Sequence, residues 1–398
     1  MPRNSITARA ITARSGCRLH PPALVCPLGD DLNSIAQRLF AGQRGLHDNE
    51  TWRPGHRLAL GIVDTPLPDD STWPAEHRSR NNRLLAAALQ RLEPTLKHWR
   101  DANPGARIGV VMGTSTSGIS ETEIALQQRM STGDWPSDFH YCRHEIGAAA
   151  EFVAYWCGVD GPAYTLSTAC TSSARALASA SRLIQAGLCD AVIAGGADSL
   201  CRLTVNGFSS LEAVSSEPCR PFSAERNGIN LGEGAALFLV TGESDGIQLK
   251  GYGETSDAHH ISAPRPDGSG AREAMAAALR MADVTPNEID YLNLHGTATR
   301  QNDSMEARAV AELFVDGVTC SSTKSLTGHT LGACGALEAA FCWLAMTHGL
   351  LPPHLDPPDP ELPSLRYSQG ETRDVRRTLT NAFAFGGNNI ALLLEKAE

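Results

Sequence analysis

The sequence predicts an α/β protein built from two similar halves, and three observations carry that reading. From Arg107 onward, apolar runs of strand length alternate with helix-period segments, the pattern of strand–helix layers around a largely parallel sheet. Gly113-Thr-Ser-Thr116 follows one apolar strand, and Gly296-Thr-Ala-Thr299 follows another, Tyr291 to Leu294. Each echo leads to a second polar turn before a small-residue helix: Ser167-Thr-Ala-Cys170 in one case, Ser322-Thr-Lys-Ser325 with Gly328-His329 in the other. A repeat of this length implies a duplicated unit with its seam near residues 241 to 250, hence halves of 1–245 and 246–398.

The elements follow in order. Asp30 to Gly42 carries Leu32, Ile35, Ala36, Leu39 and Phe40 at helical spacing, with Asp before and Gly after, so it is a helix. Asp64 to Trp73 is rich in Pro and Asp and is a loop. Asn82 to Leu92 resumes helical periodicity until Pro94 interrupts it. Arg107 to Met112 is a buried strand, Glu121 to Met130 and His144 to Cys157 are helices, and Ala163 to Ser167 is a short strand. Thr171 to Gly187 is a helix with Ala174, Leu177, Ala178, Ser181 and Ile184 on one face. A further helix starts near Ala333.

Composition narrows the function. With 44 acidic against 34 basic side chains the formal charge is −10, and no Lys/Arg block offers a footprint for a phosphate backbone, so nucleic acid is not expected. No apolar run reaches the roughly 20 residues of a membrane span; even Gly335 to Met346 is broken by Glu338. Eleven cysteines without CxxC pairs or zinc spacing point to buried thiols in a reducing, cytoplasmic compartment, and to no bound metal. Residues 1–29 carry Arg3, Arg9, Arg14 and Arg18 but no secretory core, and an ordinary first strand is expected rather than a transit peptide.

Cys170 falls at a strand-to-helix turn, where a helix N-terminus stabilises a thiolate, so it is a candidate nucleophile among otherwise structural cysteines. His295 ends a strand and is followed by Gly296, while His329 follows Gly328 before a helix; both occupy turns where parallel α/β folds expose working side chains. Lys324 stands 14 residues before Glu338, a spacing open to two readings. Near a catalytic centre the lysine would hold a histidine neutral while Glu338 paired its charge; otherwise the two form a surface ion pair.

These residues, with Ala194-Gly-Gly-Ala197, Pro221-Phe222, Arg226 to Gly234 and Asn381-Ala-Phe-Ala-Phe-Gly-Gly-Asn-Asn389, resemble the elongating β-ketoacyl-acyl-carrier-protein synthases over roughly residues 105 to 398. The resemblance implies a thiolase-like fold in five layers, α-β-α-β-α, and decarboxylative Claisen condensation as the activity. Cys170 would take an acyl chain from carrier-protein phosphopantetheine. His295 and His329 would donate hydrogen bonds to the malonyl thioester oxygen as carbon dioxide leaves. Lys324 and Glu338 would support them, and the backbone N–H groups of Cys170 and Phe385 would form the oxyanion hole. Thr297 and Thr299 match positions that contact the pantetheine arm, Phe385 a gating residue and Phe208 a pocket residue. Substrates arrive on acyl carrier protein, and no cofactor is bound.

The chain departs from that pattern at Leu19 to Gly29, in a shortened stretch over residues 47 to 80, and at Glu212, an acid where the common fatty-acid enzymes carry a basic docking residue. With Ser79-Arg-Asn-Asn82 and Asp257-Ala-His-His-Ile-Ser262, this is most similar to the ketosynthases of aryl polyene clusters. A fatty-acid elongation ketosynthase and a non-catalytic chain-length-factor subunit are the alternatives. The latter usually lacks the nucleophile, which is present here. A thiolase would use a second cysteine in place of one histidine, which makes Cys334 the residue to locate. The resemblance also implies a dimer, with an identical chain or with a chain-length-factor partner, and docking of carrier protein on a basic patch for which Arg202, Arg220 and Arg226 are candidates.

Overall fold

The structure is a computed structural model that describes residues 16–397; Arg3, Arg9 and Arg14 of the N-terminal reading lie outside them. Strands β1 (Cys17–Leu19) and β2 (Ala23–Val25) precede helix α1 (Leu32–Phe40), whose N-cap Asp31 accepts from the Ser34 N–H. A separate hairpin, β3 (Leu46–Asn49) and β4 (Leu58–Gly61), comes next, followed by α2 (Arg80–Ala102). The first half then runs β5 (Ile108–Gly113), α3 (Ile119–Thr132), α4 (Ala148–Cys157), β6 (Ala163–Leu166), α5 (Ser172–Gln185), β7 (Ala191–Asp198), α6 (Arg202–Ser210) and β8 (Gly234–Thr241). The second half opens with β9 (Ile247–Ser256), α7 (Ser269–Ala282), β10 (Tyr291–Asn293), α8 (Arg300–Leu313) and β11 (Thr319–Ser321). It ends with α9 (Lys324–Thr327), α10 (Cys334–His348), β12 (Arg366–Tyr367), β13 (Arg377–Ala384) and β14 (Asn388–Lys396).

The duplication is visible as strand order. Across the sheet the order is β12-β11-β10-β13-β14-β9-β1-β8-β7-β5-β6, with β2 also on β8. The runs β6-β5-β7-β8 and β11-β10-β13-β14 are equivalent: in each, two parallel pairings are followed by one antiparallel pairing. The sheet is therefore mixed rather than largely parallel. Hydrophobic periodicity reports which face a strand buries, not the direction in which it runs, so the antiparallel β8 and β14 left no mark in the pattern. The atypical Leu19 to Gly29 segment supplies β1 and β2, and β1 joins the two half-sheets by pairing antiparallel with both β8 and β9.

Helices α5 and α10 lie between the half-sheets in one apolar core that includes Ala174, Leu177, Leu337 and Phe341. Helices α2 and α4 cover one outer face and α7 and α8 the other, each with its own core. Five layers result. The predicted face of α5 is buried at every position. Two helix boundaries differ from expectation. Helix α2 continues through Pro94, because Pro94 and Gln90, the residue whose carbonyl loses its partner, both face solvent. Helix α4 begins only at Ala148; residues 141–143 form a 3-10 turn and the chain then bends.

The close approach of α5 to β5 depends on Gly113, where a Cβ would stand 2.3 Å from the Ser173 backbone nitrogen. Gly113→Ala should therefore destabilise the fold by about 1–3 kcal/mol through overpacking, read as a lower urea midpoint. An unchanged midpoint would contradict this contact.

A second stability prediction concerns His354, which is buried against Tyr367 with ring centroids 4.3 Å apart. Burial pushes its imidazole down to about 4. The unfolded chain takes up the proton near the ordinary value, about 6.5. Stability is thus fully present above that value and is lost as the pH falls towards 4, by on the order of 3 kcal/mol. His354→Gln should flatten the fall in stability between pH 6.5 and 4 relative to wild type; an identical slope in the variant would remove His354 as its source.

Candidate active site

Cys170 sits where the sequence places it, between β6 and the first turn of α5, and is 7% exposed. Ala169 takes φ +53° to make the turn. Ser172 pins it, accepting from the Thr168 N–H at 2.9 Å and donating to the Ala169 carbonyl at 2.6 Å. The helix N-terminus does not leave a resting thiolate, because burial outweighs it and pushes the thiol up to about 12, with the nearby Lys324 charge only partly opposing. The thiol is neutral until something takes its proton.

That acceptor is at hand: His329 Nε2 lies 3.0 Å from Cys170 Sγ. His329 is positioned by its backbone, whose N–H donates to the Asn230 carbonyl at 2.6 Å and whose carbonyl accepts from the Gly232 N–H at 2.9 Å. Its Nδ1 is buried with no hydrogen-bond partner. His295 stands edge-on to it, ring centroids 5.4 Å apart at 84°. Burial, reinforced by the Lys324 charge, holds both imidazoles well below their ordinary value, so both are neutral at pH 7.

Lys324, at the start of α9, is 1% exposed and makes an ion pair with Glu338 of α10, which excludes the reading as a surface pair. Burial opposes its charge, but the Glu338 carboxylate holds it above the ordinary lysine value. Its Nζ lies 3.4 Å from His295 Nδ1. An ammonium can only donate, so Nδ1 accepts and the His295 proton resides on Nε2. Cys334 does not replace either histidine; its thiol donates to the Cys170 carbonyl at 3.2 Å.

A cavity of about 490 Å³ opens onto Cys170, His295 and His329, and its wall includes Thr297, Thr299, Phe208 and Phe385. Thr297 and Thr299 share a hydroxyl hydrogen bond of 3.0 Å. The rings of Phe208 and Phe385 meet at 5.5 Å, with Phe385 38% exposed on a loop that turns through Gly386 at φ +77°. Lys324 and Glu338 lie behind the histidines and do not line the cavity.

Two acids that hold the site together escaped the sequence reading. Glu306 of α8 accepts from the backbone N–H groups of His295 and Gly296, both at 2.8 Å, and from the Asn381 amide at 3.1 Å. Asp198, at the end of β7, accepts from Thr114, from Ser115 and Thr116, and at 2.5 Å from the Gly332 N–H beside α10. Asp198 binds backbone amides far off in sequence, and Glu306 binds amides 11 and 10 residues before it across the turn into α8; neither contact has a motif that announces it. The docking candidates are also revised. Arg226 is buried, paired with Asp359, and cannot face a partner, whereas Arg220 stays exposed in a surface pair with Glu225. Arg202 remains exposed.

The fold and the meeting of one cysteine with two histidines at one cavity fit an acyltransferase, and comparison with known proteins assigns the family. Residues 23–246 match "Beta-ketoacyl synthase, N-terminal domain" and residues 247–357 "Beta-ketoacyl synthase, C-terminal domain"; the chain belongs to the beta-ketoacyl synthase family. It is 34% identical over 401 residues to 3-oxoacyl-[acyl-carrier-protein] synthase 2 of Staphylococcus aureus strain COL, covering 94% of this chain and 96% of that one. Among solved structures it is similar to the ketosynthase ApeO, in complex with its chain length factor ApeC, from Xenorhabdus doucetiae. That match has 44% identity and a TM-score of 0.92 over 96% of this chain and 98% of that one. The ishigamide ketosynthase/chain length factor matches with 27% identity and a TM-score of 0.87, over 97% of this chain and all of that one.

Proposed function

We propose that the protein is a β-ketoacyl-acyl-carrier-protein synthase that condenses malonyl-carrier protein with an acyl chain held on Cys170. The observation that carries this reading is the meeting of Cys170, His295 and His329 at one cavity, with His329 Nε2 3.0 Å from the thiol. In acyl transfer, Sγ attacks the thioester carbonyl and its proton passes to His329 Nε2. The tetrahedral oxyanion is held by the Cys170 and Phe385 N–H groups, and the phosphopantetheine thiolate departs, taking the proton. In the second step the malonyl carbon–carboxylate bond breaks and carbon dioxide leaves. The electron pair forms an enolate whose oxygen is held by N–H groups of both imidazoles. The enolate carbon then attacks the Cys170 thioester, and the cysteine thiolate is expelled.

His329 accepts in the first step and donates in the second. With no protein partner on Nδ1, it can carry its proton on either nitrogen. Lys324, donating to Nδ1, holds His295 as an Nε2 donor during the reaction. Thr297 and Thr299 hold the pantetheine arm, and Phe208 and Phe385 close the cavity around the acyl chain. The nucleophile belongs to the half comprising residues 1–245 and the histidines to 246–398. Incubation with acyl- and malonyl-carrier proteins should release carbon dioxide and yield a β-ketoacyl-carrier protein by mass spectrometry; neither product would refute the reading.

The pathway reading is aryl polyene assembly, supported by the departures at Glu212 and Ser79 to Asn82. The partner reading is a chain-length-factor paralogue, supported by the two similar structures that contain such a factor. Strand β6 ends the sheet and is partly exposed, and it offers the edge for pairing across a two-fold or pseudo-two-fold axis. Light scattering at micromolar concentration should give a dimer, alone or with the factor; a monodisperse monomer under both conditions would contradict it. No helix among the described residues is long and apolar enough to cross a membrane, and the reaction is assigned to the cytoplasm. Carrier-protein docking should weaken as salt shortens screening to about 8 Å at physiological ionic strength. Arg202→Glu should weaken transfer if this chain supplies the basic surface, and leave it unchanged if the partner does.

A further inference from the structure

We propose that the unacylated site binds one zinc ion through Cys170, His295 and His329, and that zinc and an acyl chain exclude each other. The ligand atoms of these three residues all lie within 4.8 Å of one another, and all three residues are buried. A tetrahedral zinc bonds to sulfur at about 2.3 Å and to imidazole nitrogen at about 2.0–2.1 Å, which sets its ligand atoms roughly 3.3–3.6 Å apart. The 3.0 Å contact between Sγ and His329 Nε2 has to open by about half an ångström to fit that geometry. One thiolate with two imidazoles is a soft donor set that suits zinc and not calcium or magnesium. The cavity in front of the three residues leaves the fourth position to water.

Surroundings decide whether a dication can be tolerated. On binding, the Cys170 thiol releases its proton to solvent and the bond to sulfur forms on the thiolate. His295 must present Nε2 as a lone pair and carry its proton on Nδ1, where Lys324 now donates. Glu338 lets this change occur: its Oε2 is buried without a hydrogen-bond partner and offers Lys324 a second acceptor. A carboxylate oxygen of Glu338 and the thiol of Cys334 also lie within 4.8 Å of a His295 ring nitrogen. A carboxylate behind a metal-bound histidine is the usual support of such ligands. An acyl group on Cys170 leaves a neutral thioester sulfur that can no longer form the thiolate the metal needs, and it fills the open position, so the loaded enzyme is closed to the metal.

The test uses the full chain carrying Cys142→Ser, which removes the exposed thiol. Zinc retained after equilibrium dialysis is measured by elemental analysis in four samples: this protein, its Cys170→Ala form, its His295→Ala form, and the protein alkylated at Cys170 with iodoacetamide. The expected result is one equivalent in the first that is missing from the Cys170→Ala and alkylated samples, with His295→Ala binding at least tenfold more weakly. Equal zinc in all four would overturn the proposal, as would loss with Cys170→Ala but unchanged affinity in His295→Ala. Should Cys170→Ala fail to fold, the alkylated wild-type site still decides the question. The readout is metal content, so it stands whether or not the condensation assigned above takes place.

Discussion

Replacing Cys170 with alanine should abolish condensation while leaving decarboxylation of malonyl-carrier protein in place. In the proposed reaction the thiol supplies the attacking atom of acyl transfer, and the thiol of neighbouring Cys334 is turned to the Cys170 carbonyl. Decarboxylation as proposed uses a different set of atoms, the N–H groups of His295 and His329, which alanine at position 170 leaves intact. Product analysis should therefore find carbon dioxide but no β-ketoacyl chain. Condensation at more than a trace rate would mean that another nucleophile operates.

The histidine substitutions have the complementary signature. His295→Ala and His329→Ala should each slow malonyl decarboxylation by roughly two orders of magnitude, because the enolate oxygen loses a preorganised donor worth on the order of 3 kcal/mol. The two are separated by the first half-reaction. His329→Ala should also slow acyl loading, since its Nε2 receives the thiol proton, whereas His295, tied to Lys324, should leave loading largely intact. If only one variant loses decarboxylation, the two-donor arrangement fails. If His295→Ala blocks loading as strongly as His329→Ala, the division of roles fails.

How much of this was legible in the sequence depends on how local the cause was. Cys170, His295 and His329 could be found because each occupies a turn between a strand end or glycine and a helix, a geometry that short spacing specifies. The pairing of Lys324 with Glu338 was open in the sequence, and burial settles it. Asp198 was not legible, because it accepts hydrogen bonds from amides brought near only by the layered fold, and Glu306 was not, because an acid in a helix that accepts from the turn before it carries no spacing signature. The resting state of the Cys170 thiol was not legible for the same reason. A helix N-terminus can be read from sequence, but the depth of burial that overrides it cannot. Arg226 looked like a surface cation until the fold enclosed it with Asp359. Strand direction lies beyond hydrophobic periodicity altogether, which is why the pattern predicts a largely parallel sheet where a mixed one forms.

The central claim is that Cys170 receives the acyl chain, and peptide mapping by mass spectrometry after incubation with a panel of acyl-carrier proteins tests it most directly. The account predicts a single acyl adduct, on the peptide containing Cys170, formed from at least one member of the panel and absent from Cys170→Ala. An adduct on any other residue, or one that persists in the variant, would contradict it.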